Sequence, residues 1–259
     1  MKFGVCTGVV DVDRIKAAGF DYFECSFAGW TTQSEEEFKL AKKKIEEIQF
    51  YPEAMNGMLP GELKVVGENA DLKALEDFMK IGFARAAEVG TKVVVFGSGK
   101  ARSVPAGCAR ATAYEQIDAF LNLANDCAAP YGINIAIEPL SFKECNILNT
   151  VSEAAFVCGR VERPHVRVLA DYFHVGQNNE NPESIVGFAH RMEHCHIANP
   201  ITRQIMKFDD GFDYSPFFNA LKKAGYDKRV SFEGRGDWGA DNFVDQLREC
   251  LALMKKYWE

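Results

Sequence analysis

The feature that most restricts the fold of this chain is an alternation: a short, apolar, β-rich run followed by a longer amphipathic stretch, repeated along 259 residues. The runs lie at 3–6, 22–25, 50–55, 92–96, 134–138, 166–171, 193–197 and 230–233. Helical spacing of apolar positions occupies 35–48, 72–89, 114–128, 151–161, 216–224 and 242–257. Runs such as VVVF (93–96) and INIAI (133–137) are apolar on both faces, as expected of strands covered by helices outside and packed side chains inside. Eight such units predict an α/β fold, a single (β/α)8 TIM barrel, with residues 1–259 forming one domain. A doubly wound open sheet would show the same order of elements and is the alternative. No G-x-x-x-x-G-K-[ST] is present, so no phosphate-loop fingerprint supports it.

Lys and Arg total 30 against 37 Asp and Glu, a net charge of −7, which repels phosphate backbones and anionic lipid. No nucleic-acid partner and no membrane association are expected. The start carries neither a basic n-region with an apolar h-region nor any apolar span of the roughly 18 residues a membrane helix needs, so a cytoplasmic protein is expected. Eight cysteines occur without a C-x-x-C pair and read as reduced, mostly buried thiols. Self-association into a homo-oligomer is left open.

In a barrel, reactive groups stand at the C-terminal ends of strands. Four consecutive runs close on a candidate ligand: Glu138 after INIAI, Asp171 after VRVLA, His196 in EHCHI and Glu233 after VSF. A helix cap or a salt bridge would account for any one of them alone. Three carboxylates and one imidazole converging on one mouth suit a single divalent cation, Mn, Co, Mg or Zn, with positions left open for substrate. His194 shares a strand face with His196, but His196 is nearer the mouth and is the chosen ligand. His165 and His190 fall in or beside loops and read as surface residues. Glu144, His174 and Arg203 lie in the adjoining loops and gain meaning only beside such a cluster.

The stretches VVVFGSGKAR (93–102), IAIEPLSFKECNILNTVSEA (135–154), LADYFHV (169–175), HCHIANP (194–200) and DYSPFFNALKKAGYDKRVSFEGRGDW (213–238) give the chain a resemblance. It resembles the xylose isomerase-like barrel superfamily of sugar isomerases and epimerases, and most of all ketose 3-epimerases of the tagatose/psicose type. The resemblance implies Glu138, Asp171, His196 and Glu233 as metal ligands, with manganese favoured. It further implies Glu144, His174 and Arg203 as substrate-binding residues, although HIANPITR places the arginine one residue further on than in ketose 3-epimerases. The implied function is epimerisation or isomerisation of a small sugar through a metal-bound enediolate, with Glu138 and Glu233 as the catalytic acid–base groups. An inosose dehydratase-like lyase would use the same ligands. An endonuclease IV-like phosphodiesterase would need further histidines on early strands, and none precedes His165.

Overall fold

A computed structural model describes residues 1–259. Its eight strands are β1 (Lys2–Cys6), β2 (Tyr22–Ser26), β3 (Ala54–Asn56), β4 (Val93–Phe96), β5 (Asn134–Ile137), β6 (Val166–Asp171), β7 (Met192–Ile197) and β8 (Arg229–Phe232). All pair in parallel and in sequence order, and β1 pairs with β8 through Phe3–Val230 and Gly4–Ser231, which closes the sheet. The fold is therefore a (β/α)8 barrel, and the open-sheet alternative is excluded.

The longer helices form where the sequence supplies both an apolar stripe and a start signal. Helix α3 (Glu35–Ile48) and helix α7 (Val151–Val161) open on reciprocal capping boxes, Ser34 with Glu37 and Thr150 with Glu153. Helix α4 (Leu72–Glu88) is capped by Asp71 and buries Leu75, Met79, Phe83 and Ala86 at helical spacing. Helix α6 (Arg110–Ala128) buries Ala113, Ile117, Phe120, Leu121 and Ala124 in the same way. The outer ring is completed by α10 (Ser215–Lys223) and α11 (Phe243–Trp258), with a first short helix, α1 (Val12–Ala18), ending at Gly19, whose φ of 94° no other residue type adopts easily. Further one- or two-turn helices are α2 (Phe27–Thr32), α5 (Gly99–Arg102), α8 (Tyr172–Gln177) and α9 (Ser184–Gly187). No helix is long and apolar enough to cross a membrane.

Two expected boundaries move. The third strand begins at Ala54 rather than residue 50, because Gln49 ends α3 in the left-handed region and Pro52 has no N–H to give the ladder. The chain from 50 to 53 is a connection, tied down where Thr91 Oγ1 donates to the Pro52 carbonyl at 2.8 Å. The sixth helix begins four residues before the expected 114, at Arg110. All eight cysteines are unpaired thiols, six of them buried.

The apolar core has two parts. Seventy buried residues fill the shell between strands and helices. A separate cluster of Tyr22, Ala54, Val93, Val95, Ala136 and Leu169 plugs the barrel interior. Tyr22 fits there because β1 carries Gly4 beneath its ring, where any Cβ would overlap the aromatic carbons. The Tyr22 hydroxyl shares a 2.8 Å hydrogen bond with Ser231 Oγ on β8, so the plug ends in a polar layer. A Gly4→Ala variant should consequently lose about 1–3 kcal/mol of stability, the usual cost of overpacking. Urea unfolding monitored by far-UV circular dichroism checks this, and an unchanged midpoint would show that the plug has slack.

Candidate active site

Each of the four strand-end residues is set by its strand. The backbone N–H of Glu138 donates to Phe96 O at 3.2 Å and that of Glu233 to Ile197 O at 3.0 Å, so both extend the barrel ladder by one residue beyond the regular strands. Asp171 ends β6 and caps α8, its Oδ1 accepting from Phe173 N at 2.8 Å. His196 stands near the end of β7, fully buried. Donor atoms of Glu138, Asp171, His196 and Glu233 all lie within 4.8 Å of one another. His196 Nδ1 is 3.2 Å from Glu138 Oε1 and 3.4 Å from Glu233 Oε2.

Glu144 and Arg203, from loops, and His174, which the structure places on α8 rather than in a loop, come to the same place. Arg203 Nη2 donates to Glu233 Oε2 at 2.7 Å and Nη1 to Glu144 Oε1 at 3.1 Å, while its guanidinium lies 4.7 Å from the centre of the Phe173 ring. The loop that delivers Arg203 is held at both ends. Asn199 Oδ1 accepts from the backbone of Ile201 and Thr202, and Arg203 O accepts from Arg235 N at 2.6 Å. Arg203 takes a positive φ of 57°, in the left-handed region that residues other than glycine adopt seldom. His174 Nδ1 accepts from Ser141 N at 3.1 Å, which leaves its Nε2 facing Asp171 Oδ2 at 3.5 Å without a hydrogen bond. Glu138, Glu144, His174, Arg203 and Glu233 line a cavity of about 260 Å³ together with Asn56, Gly57, Gly97, Ser98, Gly99 and Leu140. A larger groove of about 650 Å³ runs beside Lys64, Lys100 and Pro105 and is lined by none of the candidate residues.

Several residues essential to this geometry do not stand out in the sequence. Asn56 Nδ2 donates to Glu233 Oε1 at 3.0 Å. Arg102, fully buried and 5.3 Å from the Phe96 ring centre, donates to Phe96 O at 2.7 Å and Glu138 O at 2.6 Å, clamping the ends of β4 and β5. Gly97 leaves the space occupied by Glu138 Oε2, which a Cβ would invade. Glu24, inside the barrel, accepts from both His194 and His196. Its one signal was a charged residue at the same inward alternation as Tyr22 in an otherwise apolar run.

The charges are arranged to compensate one another. Burial pushes the Asp171 carboxyl up, and with Glu233 and Glu138 adding to the rise and His174 opposing it, the value reaches about 6. Burial also works against the Glu233 charge, but His196 and Arg203 hold that carboxyl down at about 2. For His196 burial favours the neutral ring, yet Glu24 and Glu233 outweigh it and raise the imidazole well above its ordinary value.

The donor set fits a divalent cation. Asp171 Oδ2 is buried with no hydrogen-bond partner, an unusual cost for a carboxylate, and Asp171 belongs to the group of four whose donor atoms lie within 4.8 Å of one another. Three oxygens and one nitrogen within that span match the coordination chemistry of Mn, Co, Mg or Zn.

A closed parallel barrel with a carboxylate–imidazole cluster at its C-terminal mouth is the architecture of a barrel enzyme with a hard-ligand site. The chain belongs to the xylose isomerase-like TIM barrel family, whose model matches residues 12–257. Among curated proteins it is 25% identical over 134 residues to a ketose 3-epimerase of Arthrobacter globiformis, a match covering 51% of this chain and 45% of the relative, so the chain spans less than half of that protein's length. It is 24% identical over 248 residues to the 3-dehydro-D-guloside 4-epimerase of Escherichia coli K12, covering 93% of this chain and 91% of the relative. Among solved structures, a D-psicose 3-epimerase with D-tagatose from Clostridium cellulolyticum H10 superimposes with a TM-score of 0.86 over 100% of both chains at 16% identity, a likeness of fold.

Cation binding requires Asp171 to be ionised and His196 to surrender a proton from Nδ1. Protons and cation therefore compete, and affinity should rise with pH, most steeply below about 6 where Asp171 still holds its proton. Isothermal titration with manganese in buffers of different ionisation enthalpy should show proton release. Affinity that stays flat from about pH 5 to about pH 7 would contradict the assigned charge states.

Proposed function

We propose that this chain is a divalent-metal-dependent sugar epimerase, acting as one barrel domain on a small ketose or a related keto sugar. The observation that carries the reading is the placing of Glu138 and Glu233 in one small polar cavity, each next to His196 Nδ1, with Arg203 and His174 on its wall. At about 260 Å³ the cavity falls below the roughly 300–1,000 Å³ usual for drug-sized ligands, which suits a single small sugar. All three curated relatives carry names of sugar epimerases, which supports the class.

The residues divide the work as follows. Glu138, Asp171, His196 and Glu233 would hold the cation, which when bound supplies Lewis acidity to a carbonyl and its neighbouring hydroxyl and so weakens the adjacent C–H bond. Glu138 or Glu233 takes that proton, giving an enediolate, and the other carboxylate returns a proton to the opposite face, which inverts the centre. Arg203 stays cationic beside Glu233 and Glu144 and, with His174, hydrogen-bonds sugar oxygens, because small errors of orientation cost large factors in rate. Arg203 also lowers the basicity of Glu233 through its 2.7 Å contact, whereas Glu138 meets no arginine side-chain partner through its carboxylate. The two carboxylates therefore start from different charge environments, as a pair taking opposite roles requires. A phosphodiesterase of the multi-metal kind draws no support, since the second donor group, Cys6 with Glu24, reuses His196 itself.

Glu138→Gln and Glu233→Gln should each lower kcat by about 10²- to 10⁴-fold, the usual contribution of a positioned acid or base. Arg203→Ala should act mainly on KM. The assay is a panel of ketoses and keto sugars with manganese in deuterated water, with deuterium located in the product by NMR. Epimerisation predicts label at the inverted carbon, and loss of that label in both Glu→Gln variants. Near-normal turnover in either variant, with metal content verified, would sink the two-base mechanism.

A further inference from the structure

Beneath the four-residue cluster sits a buried polar group that the reaction does not touch. Glu24 on β2 is fully buried, 172 residues from its partner in sequence, and three donors converge on it. His194 Nε2 lies 2.7 Å and Ser231 Oγ 2.6 Å from Glu24 Oε2, and His196 Nε2 lies 2.9 Å from Oε1. Because a carboxylate only accepts, each imidazole must present an N–H on Nε2. For His196, with a single ring proton, that leaves Nδ1 bare, and Nδ1 is the atom 3.2 Å from Glu138 and 3.4 Å from Glu233. The ring is thus oriented from below, and once a cation displaces its second proton the Nδ1 lone pair points upward.

Resting on the cation-site reading given above, we propose that Glu24 is a positioning residue for the metal centre. It fixes the Nε2–H tautomer and ring plane of His196, with His194 as the second donor that keeps the Glu24 carboxylate from rotating away. His194 and His196 stand 5.0 Å apart with ring planes at 85°, so each can donate to a different oxygen of the one carboxylate. A rival use of the same atoms would be a second cation between Cys6, Glu24 and His196. That use would require His196 to bind a cation through each ring nitrogen and Glu24 to give up its hydrogen bond from His196, so the orienting role accounts for more of the geometry. Glu24→Gln is informative because the amide NH2 can donate to His196 Nε2, which turns the ring proton toward Nδ1 and blocks the ligand position.

The test is cobalt binding to the whole protein by chelator competition, comparing wild type, Glu24→Gln, Glu24→Asp and Ser231→Ala, with thermal unfolding of each as a check on folding. Removing a hydrogen-bonding partner of a ligating histidine typically weakens metal affinity about 10- to 100-fold, which is the loss expected for Glu24→Gln. Glu24→Asp should recover part of it, and Ser231→Ala, which leaves both imidazole contacts intact, should bind cobalt within about threefold of wild type. Imidazole ¹⁵N NMR of the zinc-loaded wild-type protein supplies a readout that does not need the variant to fold: the His196 proton should reside on Nε2 and the metal on Nδ1. Equal cobalt affinity in a folded Glu24→Gln variant, two cations per chain, or zinc on His196 Nε2 would each overturn the orienting role while leaving a cation site in place. Wild-type protein that binds no cobalt or zinc would overturn the cation-site reading, and the role of Glu24 with it.

Discussion

Ionised carboxylates brought into the interior of a barrel lose their water, and each costs several kcal/mol unless something nearby replaces that solvation. The rest of this molecule can be understood from that requirement. Four buried or nearly buried acids, Glu24, Glu138, Asp171 and Glu233, surround one imidazole, and His196 touches three of them. Arg203 neutralises Glu233 from the rim, Asn56 supplies a neutral donor, and Asp171 meets its cost by holding a proton up to about pH 6. Asp171 Oδ2, His174 Nε2 and His194 Nδ1 stay without a hydrogen-bond partner, and Asp171 is one of the four residues that could hold a cation.

The barrel answers this requirement in layers. An apolar plug from Tyr22 to Leu169 closes the interior. Above it come Ser231, Glu24 and His194, joined by short hydrogen bonds, and above these His196 and the strand-end carboxylates. Loops then add Arg203 and Glu144, and α8 adds His174, all three lining the cavity at the mouth. The layers are in contact: Gly4 admits the Tyr22 ring, the Tyr22 hydroxyl shares a hydrogen bond with Ser231, and Glu24 accepts from Ser231, His194 and His196. Arg102 performs the matching task from the outside, holding the carbonyls of Phe96 and Glu138 in a fully buried position. A site assembled on strands and braced from two sides keeps the close tolerances that proton transfer demands.

Much of this could be read in the sequence because its signals are local. Strand runs such as VVVF and helix stripes such as that of α4 repeat with their own periods, and capping boxes mark where α3 and α7 begin. The strand-end acids were legible for the same reason: a polar residue closing an apolar run is visible without a partner. Residues whose meaning depends on a partner far along the chain were not. Asn56 and Glu233 are 177 residues apart, and Arg102 recognises carbonyl groups, which leave no mark in a side-chain pattern. The short helices α5 and α8, of four and six residues, carry no full apolar period to betray them. Pro52 was the local signal that should have shortened the third strand.

The central claim is that one cation is held at the barrel mouth by Glu138, Asp171, His196 and Glu233, with the imidazole contributing Nδ1. Anomalous diffraction from crystals grown with manganese tests it most directly, because the signal locates the ion without reference to activity. The account predicts one strong peak per chain at about 2.0–2.6 Å from an oxygen of each carboxylate and from His196 Nδ1. A peak centred between Cys6 and Glu24, or at the rim against Glu144 with His196 unliganded, would contradict it.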